Sequence, residues 1–108
     1  MNDLNSILIE GNLVRDPEIK ELENGSHVCN MTIACNRYYK KDGEYEQDVS
    51  FFEVTAWNNN AKRCSGFAKG RGVRVIGYLK QDRWVDNNGD NRTKIHIIAD
   101  QINFKPEK

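Results

Sequence analysis

The sequence has few of the residues that build a disulfide framework, a metal site or a membrane span. Its three cysteines, Cys29, Cys35 and Cys64, are odd in number, form no CxxC pair and are accompanied by only two histidines, so we expect buried free thiols. No stretch approaches the ~20 apolar residues that cross a bilayer. Residues 1–5 lack the basic and apolar pattern of a secretory signal. These absences predict a cytoplasmic protein.

A net charge is also lacking, because 16 Lys and Arg balance 16 Asp and Glu. Proteins that bind phosphate groups usually show a basic excess. The charges are unevenly distributed, however: residues 1–60 carry five basic against eleven acidic side chains, and residues 61–108 carry eleven against five. The neutral total is therefore compatible with a basic face, and equally with two halves that pair across the fold.

What the sequence does contain is alternation of apolar and polar residues, the pattern of strands that are buried on one face. The length of 108 residues suits one domain, residues 1–108. The pattern predicts five strands: one through Ile7, Ile9 and Leu13, then His27 to Tyr39, Val49 to Trp57, Val73 to Trp84 and about Arg92 to Phe104. Asn24-Gly25 and Asn88-Gly89 favour tight turns. The charged segment 40–48 is interpreted as a loop.

Between the third and fourth of these strands the apolar period changes to that of a helix. Ala61, Cys64, Phe67 and Ala68 recur at helical spacing, after an Asn cap and before a stop at Gly70. Three strands, one short helix and two strands follow the order of an OB fold, whose helix fills the gap between strands three and four. We therefore predict an all-β, five-stranded OB-fold barrel with one short helix between strands 3 and 4.

Aromatic and basic side chains fall on strand faces that the core residues do not use. Phe51 and Trp57 lie opposite Val54, and Tyr78 and Trp84 lie opposite Val75. The flanking cations are Lys40 and Lys41 beside Tyr39, and Lys80 and Arg83 beside Trp84. Exposed rings stack on unpaired bases at ~1–3 kcal/mol per base, while cations contact the sugar-phosphate backbone. The pattern therefore predicts binding of single-stranded nucleic acid.

No arrangement of side chains indicates catalysis, a cofactor or a metal ion. Neither histidine is accompanied by the Ser or Cys and the carboxylate of a nucleophilic site. Segment 86–90 lacks the glycine and glutamate positions of a calcium loop, and the glycines around Gly70 are not followed by the Lys and Ser or Thr of a phosphate loop. We predict no enzymatic activity, no cofactor and no metal.

Several short motifs resemble the bacterial single-stranded DNA-binding proteins. They are Ile9–Leu13 and Asp16–Glu18, which resemble the family's GNL and DPE elements, the turn at Asn24-Gly25, Lys69-Gly70, which resembles its KG element, and Val75–Leu79, which resembles its IEGxL strand. Their combined order covers Asn5 to Phe104 and is far more specific than any single motif.

The resemblance implies an OB barrel that binds single-stranded DNA in replication, recombination and repair. It implies that Tyr39, Phe51, Trp57 and Trp84 occupy base-stacking positions and that Lys69, Lys80 and Arg83 present cations to the DNA backbone. It also implies a homotetramer associated with the nucleoid in the cytoplasm. Glu53 and Asp82 depart from the family, in which basic residues are frequent at these positions.

The resemblance extends to a segment that this sequence does not contain. Family members continue into a flexible tail whose acidic, hydrophobic tip recruits replication and repair proteins, whereas this sequence ends at Pro106-Glu107-Lys108. We expect such partners for a longer form that carries the tail; a tailless relative is the other interpretation.

Two other functions remain open. One is a primosomal replication-restart protein, a tailless dimeric OB relative, which the GNL and DPE elements disfavour. The other is a structural OB subunit whose aromatic side chains lie in a protein interface, since a ring in a half-buried strand more often packs than binds a ligand. Burial of Phe51, Trp57 and Trp84 inside the barrel would remove the basis for DNA binding.

Overall fold

The computed structural model describes residues 1–105; residues 106–108 lie outside the described part. Its elements are β1 (Ile7–Leu13), β2 (Glu18–Glu21), β3 (His27–Lys41), β4 (Glu44–Trp57), α1 (Asn59–Arg63), a 3-10 helix (Cys64–Gly66), β5 (Gly72–Val85) and β6 (Asn91–Phe104). Within residues 1–105, no helix is long and apolar enough to cross a membrane.

Five of the strands close into a barrel. The strands lie in the order β1-β5-β6-β4-β3, and β1 pairs with β3 at Asn12 and Leu13 to complete the circle. Only the β4–β6 pairing among them is parallel, at Val54–Ile97 and Thr55–Ile98. The predicted OB-fold barrel with one short helix is confirmed. The sequence did not predict β2, an edge strand on β3, because all four of its residues are exposed and show no apolar alternation.

The core fills the barrel and is built from the inward faces of the strands. Its fully or almost fully buried side chains include Leu13, Cys29, Met31, Ile33, Val54, Ala56, Val73, Val75, Ile97 and Ile102. Ala61 and Cys64 belong to the same cluster, so the short helical segment closes one end of the barrel. Burial of each large aliphatic side chain stabilises the fold by ~1.5–3 kcal/mol, which makes the barrel the stable part of the molecule.

The helix is shorter than predicted. Phe67 leaves it with an extended backbone and packs edge-on against Phe104, with ring centroids 4.6 Å apart. Asn58 does not cap the helix with its side chain, because its Oδ1 accepts a hydrogen bond from the backbone N–H of His27 at 3.2 Å. Gly70 is not a helix stop: it has φ 88° in a turn in which Arg71 N–H donates to the carbonyl of Ala68.

The predicted loop over residues 40–48 is wrong. β3 and β4 continue through this segment and join at Asp42-Gly43, whose φ values of 52° and 83° suit a two-residue hairpin turn. β5 and β6 likewise extend to a turn that contains Gly89. The segment resembles a loop in sequence because it is polar on both faces, and a strand that projects into solvent needs no apolar face.

A β-bulge shapes the β5–β6 pair. Asp100 of β6 is an extra residue opposite the Ile76-Gly77 step of β5, and the side-chain amide of Asn60 donates to the carbonyls of Ala99 and Asp100 at 3.3 and 3.0 Å. A Cβ at Gly77 would lie 1.9 Å from the carbonyl oxygen of Ile98. Glycine is therefore required where the two backbones approach closely.

Candidate nucleic-acid interface

The pairing register determines which side chains share the outer surface of the barrel, because directly opposed residues in a ladder point to the same side. On β3 and β4, Phe51 lies opposite Ala34 and Trp57 opposite Val28; on β5 and β6, Lys80 lies opposite His96. This surface, termed the outward face, comprises the even-numbered residues 28–40, the odd-numbered residues 45–57, and the even-numbered residues 78–84 and 92–98.

Four of the predicted aromatic residues lie on the outward face. Phe51, Trp57 and Trp84 are 64%, 42% and 47% exposed, and Tyr78 is half-buried. Phe51, Trp57 and Trp84 all lie outside the barrel interior, so the outward orientation that strand parity predicted is observed. Phe51 and Trp57 are roughly 20 Å apart along β4 at ~3.3 Å per residue, which leaves room for several nucleotides.

Tyr39 lies on the other side of the β3–β4 hairpin. It is opposite Glu46, whose Oε2 accepts a hydrogen bond from the Tyr39 hydroxyl at 3.2 Å, and the Arg37 guanidinium lies 5.0 Å from the ring centre. Lys41 and Arg83 have the same opposite parity, and Arg83 contacts Oε1 of Gln81. The structure therefore does not bring Tyr39, Lys41 and Arg83 onto the surface that carries Phe51 and Trp84.

The other predicted cations have identifiable neighbours. On the outward face, Lys40 Nζ lies 5.8 Å from the Tyr45 ring centre and Lys80 Nζ lies 3.5 Å from Asp82 Oδ1. Lys69 is instead in the turn before β5, where its backbone N–H donates to Asp16 Oδ1 at 2.8 Å. That hydrogen bond joins the DPE and KG elements and gives both a structural role.

The sequence reasoning missed several members of the outward face. Tyr38 and Tyr45 are 69% and 83% exposed, and Arg92 and Lys94 lie on the same surface in β6. Strand alternation could have identified Tyr38, because it shares the parity of the polar, exposed residue Asn30. Tyr45 was not predicted, because its segment was interpreted as a loop.

A polar network ties the two hairpins together at the centre of the outward face. Thr55 Oγ1 donates to Asn30 Oδ1 at 3.1 Å and lies 3.0 Å from Nδ1 of His96. His96 Nε2 faces Asp82 Oδ2 at 2.9 Å without the alignment of a hydrogen bond. The hydrogen bonds therefore link β3, β4 and β6 across the face.

Beyond the barrel, the two hairpins separate and leave a cleft between them. Phe52 and Leu79 share the parity of the core residues Val54 and Val75, but they are 37% and 46% exposed because their strands have already left the barrel. With Ile95 and Phe51 they line a cleft of about 420 Å³. The surface that can receive a ligand therefore has an apolar cleft next to a polar centre.

The thiols and the turn of the second hairpin have structural explanations. A hydrogen bond with Cys29, together with burial, raises the pKa of Cys64, so Cys64 remains a thiol in the core. All three cysteines are free, as predicted, although Cys35 is only half-buried. A hydrogen bond from Arg92, and others from the backbone N–H groups of Asp90 and Asn88, hold the pKa of Asp86 below its usual range.

The described side chains offer stacking and charge contacts. Within residues 1–105, no group of three or more His, Cys, Asp or Glu is placed to hold a metal ion. The outward face combines exposed rings with Lys40, Lys80, Lys94 and Arg92, and single strands bind to such surfaces through base stacking and backbone contacts.

Comparison with known proteins identifies the family of the chain. A model of the single-strand binding protein family matches residues 4–105. The chain is 36% identical over 107 residues to single-stranded DNA-binding protein 2 of Chlorobaculum tepidum, covering 96% of this chain and 72% of that protein. It is 36% identical to the single-stranded DNA-binding protein of Borreliella burgdorferi, covering 94% of this chain and 70% of that protein.

Coverage of other relatives is lower, and one solved structure is similar in fold. The chain is 33% identical to the single-stranded DNA-binding protein of Treponema pallidum and covers 58% of its length. A Plasmodium falciparum SSB solved in complex with ssDNA superimposes with a TM-score of 0.87 at 24% identity, covering 98% of both chains. At that identity the structural likeness supports the fold alone.

Proposed function

The chain belongs to the single-strand binding protein family, and from this premise we propose that it binds single-stranded DNA without sequence preference. The observation that carries the proposal is the exposure of Phe51, Trp57 and Trp84 on one face of a closed barrel. Large rings that remain exposed contribute little to folding and mark a binding surface. Stacking does not depend on base identity, because every base has a π face.

Each predicted site residue has a place in this proposal. Phe51, Trp57, Tyr78 and Trp84 stack bases on the outward face, and Tyr38 joins them. Lys40 and Lys80 contact phosphates there. The remaining predicted residues, Tyr39, Lys41, Lys69 and Arg83, contact a strand only where it passes around the hairpins or along the barrel end. No step of the proposal is catalytic.

We further propose that four copies associate and that the protein coats single strands of nucleoid DNA in the cytoplasm during replication, recombination and repair. Leu8 and Ile76 support association, because they face each other across β1 and β5 and are 70% and 36% exposed. A second copy would cover this apolar pair. Light scattering of the purified chain tests the assembly, and a monomer at micromolar concentration would contradict it. Replication and repair proteins would bind a form that carries the acidic tail.

Tryptophan fluorescence provides the direct test of DNA binding. The chain has two tryptophans, Trp57 and Trp84, and both are on the outward face. Titration with poly(dT) at low salt should quench their emission strongly and reach saturation. The matched control is duplex DNA of equal length, which should displace oligo(dT) poorly because its bases are already stacked. Unquenched emission would favour a protein-interface role, and equal displacement by duplex would exclude selectivity for single strands.

A further inference from the structure

Two lysines at the centre of the outward face are already bound to carboxylates. Lys80 Nζ lies 3.5 Å from Asp82 Oδ1, and Lys94 forms an ion pair with Glu53. All four side chains are about half exposed, so they are within reach of a ligand. Asp82 lies directly opposite Lys94 in the β5–β6 ladder, which places both pairs in one small patch.

The patch adjoins a groove with other groups suited to a phosphate. Glu53 and Lys94 line a groove of about 250 Å³ together with Arg15, Thr32 and Thr55. Arg15 donates to Thr32 Oγ1 at 3.3 Å. Lysine and arginine here would attract a sugar-phosphate backbone, but each negative carboxylate neutralises one cation and repels phosphate at short range.

We propose that Glu53 and Asp82 act as built-in competitors of DNA phosphate for Lys94 and Lys80. Phosphate contact at the patch requires each lysine to exchange its carboxylate for a phosphate oxygen. The exchange weakens binding and makes it less sensitive to salt, because the carboxylate that loses its lysine attracts a cation and so offsets the cation that the DNA phosphate releases. The inference rests on the proposed function and concerns the affinity of that same face.

The test replaces each carboxylate by an amide of nearly the same size. Glu53→Gln and Asp82→Asn are compared with the parent by titrating labelled oligo(dT) at several sodium chloride concentrations. Each variant should bind about 5-fold more tightly at moderate salt, within the range that exposed ion pairs support. The slope of log K against log salt should steepen by ~0.7 per variant, the value for one phosphate contact on a single strand whose counterion release no carboxylate offsets.

Glu10→Gln is the matched control. Glu10 forms an ion pair with Arg74 at 2.6 Å on the β1–β5 side of the barrel, with similar exposure and the same change in net charge on substitution. It should alter affinity less than about 2-fold, since charges beyond a Debye length of ~10 Å are screened. Asp82→Glu retains the negative charge and should keep the parent's affinity and salt slope.

The possible outcomes separate the two proposals. If the parent binds oligo(dT), and Glu53→Gln and Asp82→Asn bind no better than Glu10→Gln, competition by carboxylates is wrong and the binding function stands. Weaker binding by Glu53→Gln or Asp82→Asn would also overturn the proposed competition, and would show that these carboxylates hold the hairpins together. If neither the parent nor Glu10→Gln binds oligo(dT), the binding function itself fails. Urea unfolding of each variant verifies that the fold is intact.

Discussion

The barrel and the two hairpin arms that leave it are built from the same strands but differ in burial. In β4, residues 44–53 are all exposed, whereas Val54, Thr55 and Ala56 are buried. In β5, Val73 and Val75 are fully buried, and every residue beyond Tyr78 is exposed or half-buried. Closing the barrel requires only the buried parts of the strands. The arms therefore add surface rather than core, and that surface carries most of the exposed rings.

Matched isoleucines in the two regions test this difference and give the largest expected effect. Ile33 is fully buried in the barrel, and Ile95 is 64% exposed in the β5–β6 arm. Ile33→Ala should lower the free energy of unfolding by ~2–5 kcal/mol, because it leaves a cavity in a packed core. Ile95→Ala should lower it by less than about 1 kcal/mol. Urea unfolding followed by circular dichroism measures both, and equal losses would show that the arms are packed against another surface.

Matched glycines sharpen the comparison at the point where β5 leaves the barrel. Gly77→Ala places a Cβ against the carbonyl of Ile98, so the strands have to shift, at a cost of roughly 1–3 kcal/mol. Gly66→Ala meets no atom within 4 Å and needs no positive φ, so it should change the unfolding free energy by less than about 0.5 kcal/mol. The same urea experiment applies. A neutral Gly77→Ala would show that the close approach is not needed for stability.

Two neighbouring residues of the arm compare its two faces. Trp84→Ala should weaken binding of oligo(dT) by ~1–3 kcal/mol, because it removes one stacking surface. Val85 is 63% exposed on the opposite face, so Val85→Ala should leave the dissociation constant unchanged. Fluorescence anisotropy of a labelled oligonucleotide measures both, and urea unfolding should differ little between the two variants. Equal losses of affinity would mean that DNA contacts both faces of the arm.

The smallest expected effect is the pH dependence of the arm's turn. Hydrogen bonds from Arg92, Asp90 and Asn88 lower the pKa of Asp86 in the folded state. Its contribution to stability is therefore present above the ordinary carboxyl pKa and is lost as pH falls through the lower folded value. Asp86→Asn should reduce stability near neutral pH, and the difference from the parent should disappear in acid. Urea unfolding between pH 7 and pH 2 tests this; a difference that does not change with pH would exclude the ionised carboxylate as its cause.

Prediction of strands and their faces from sequence succeeded in the barrel, where alternation of apolar and polar residues matches one buried and one exposed face. The alternation around Met31, Val54 and Val75 identified the inward faces of the barrel strands, and the same parity assigned Phe51, Trp57 and Trp84 to the outside. It failed at the end of the β3–β4 arm, where both faces meet solvent and no apolar alternation marks the strands. That is why segment 40–48 was interpreted as a loop and Tyr45 was overlooked.

Local sequence alone therefore determined the order along the chain of the five barrel strands, the position of the short helix and the direction in which most rings point. Each of these depends on neighbours along the chain. The tertiary structure alone decided the rest. It determined that His96, Thr55 and Asn30 form one network, that Glu53 meets Lys94, and that Phe52 and Leu79 line a cleft. These contacts join strands that are distant in sequence, and only closure of the barrel specifies which strands meet and where the arms part.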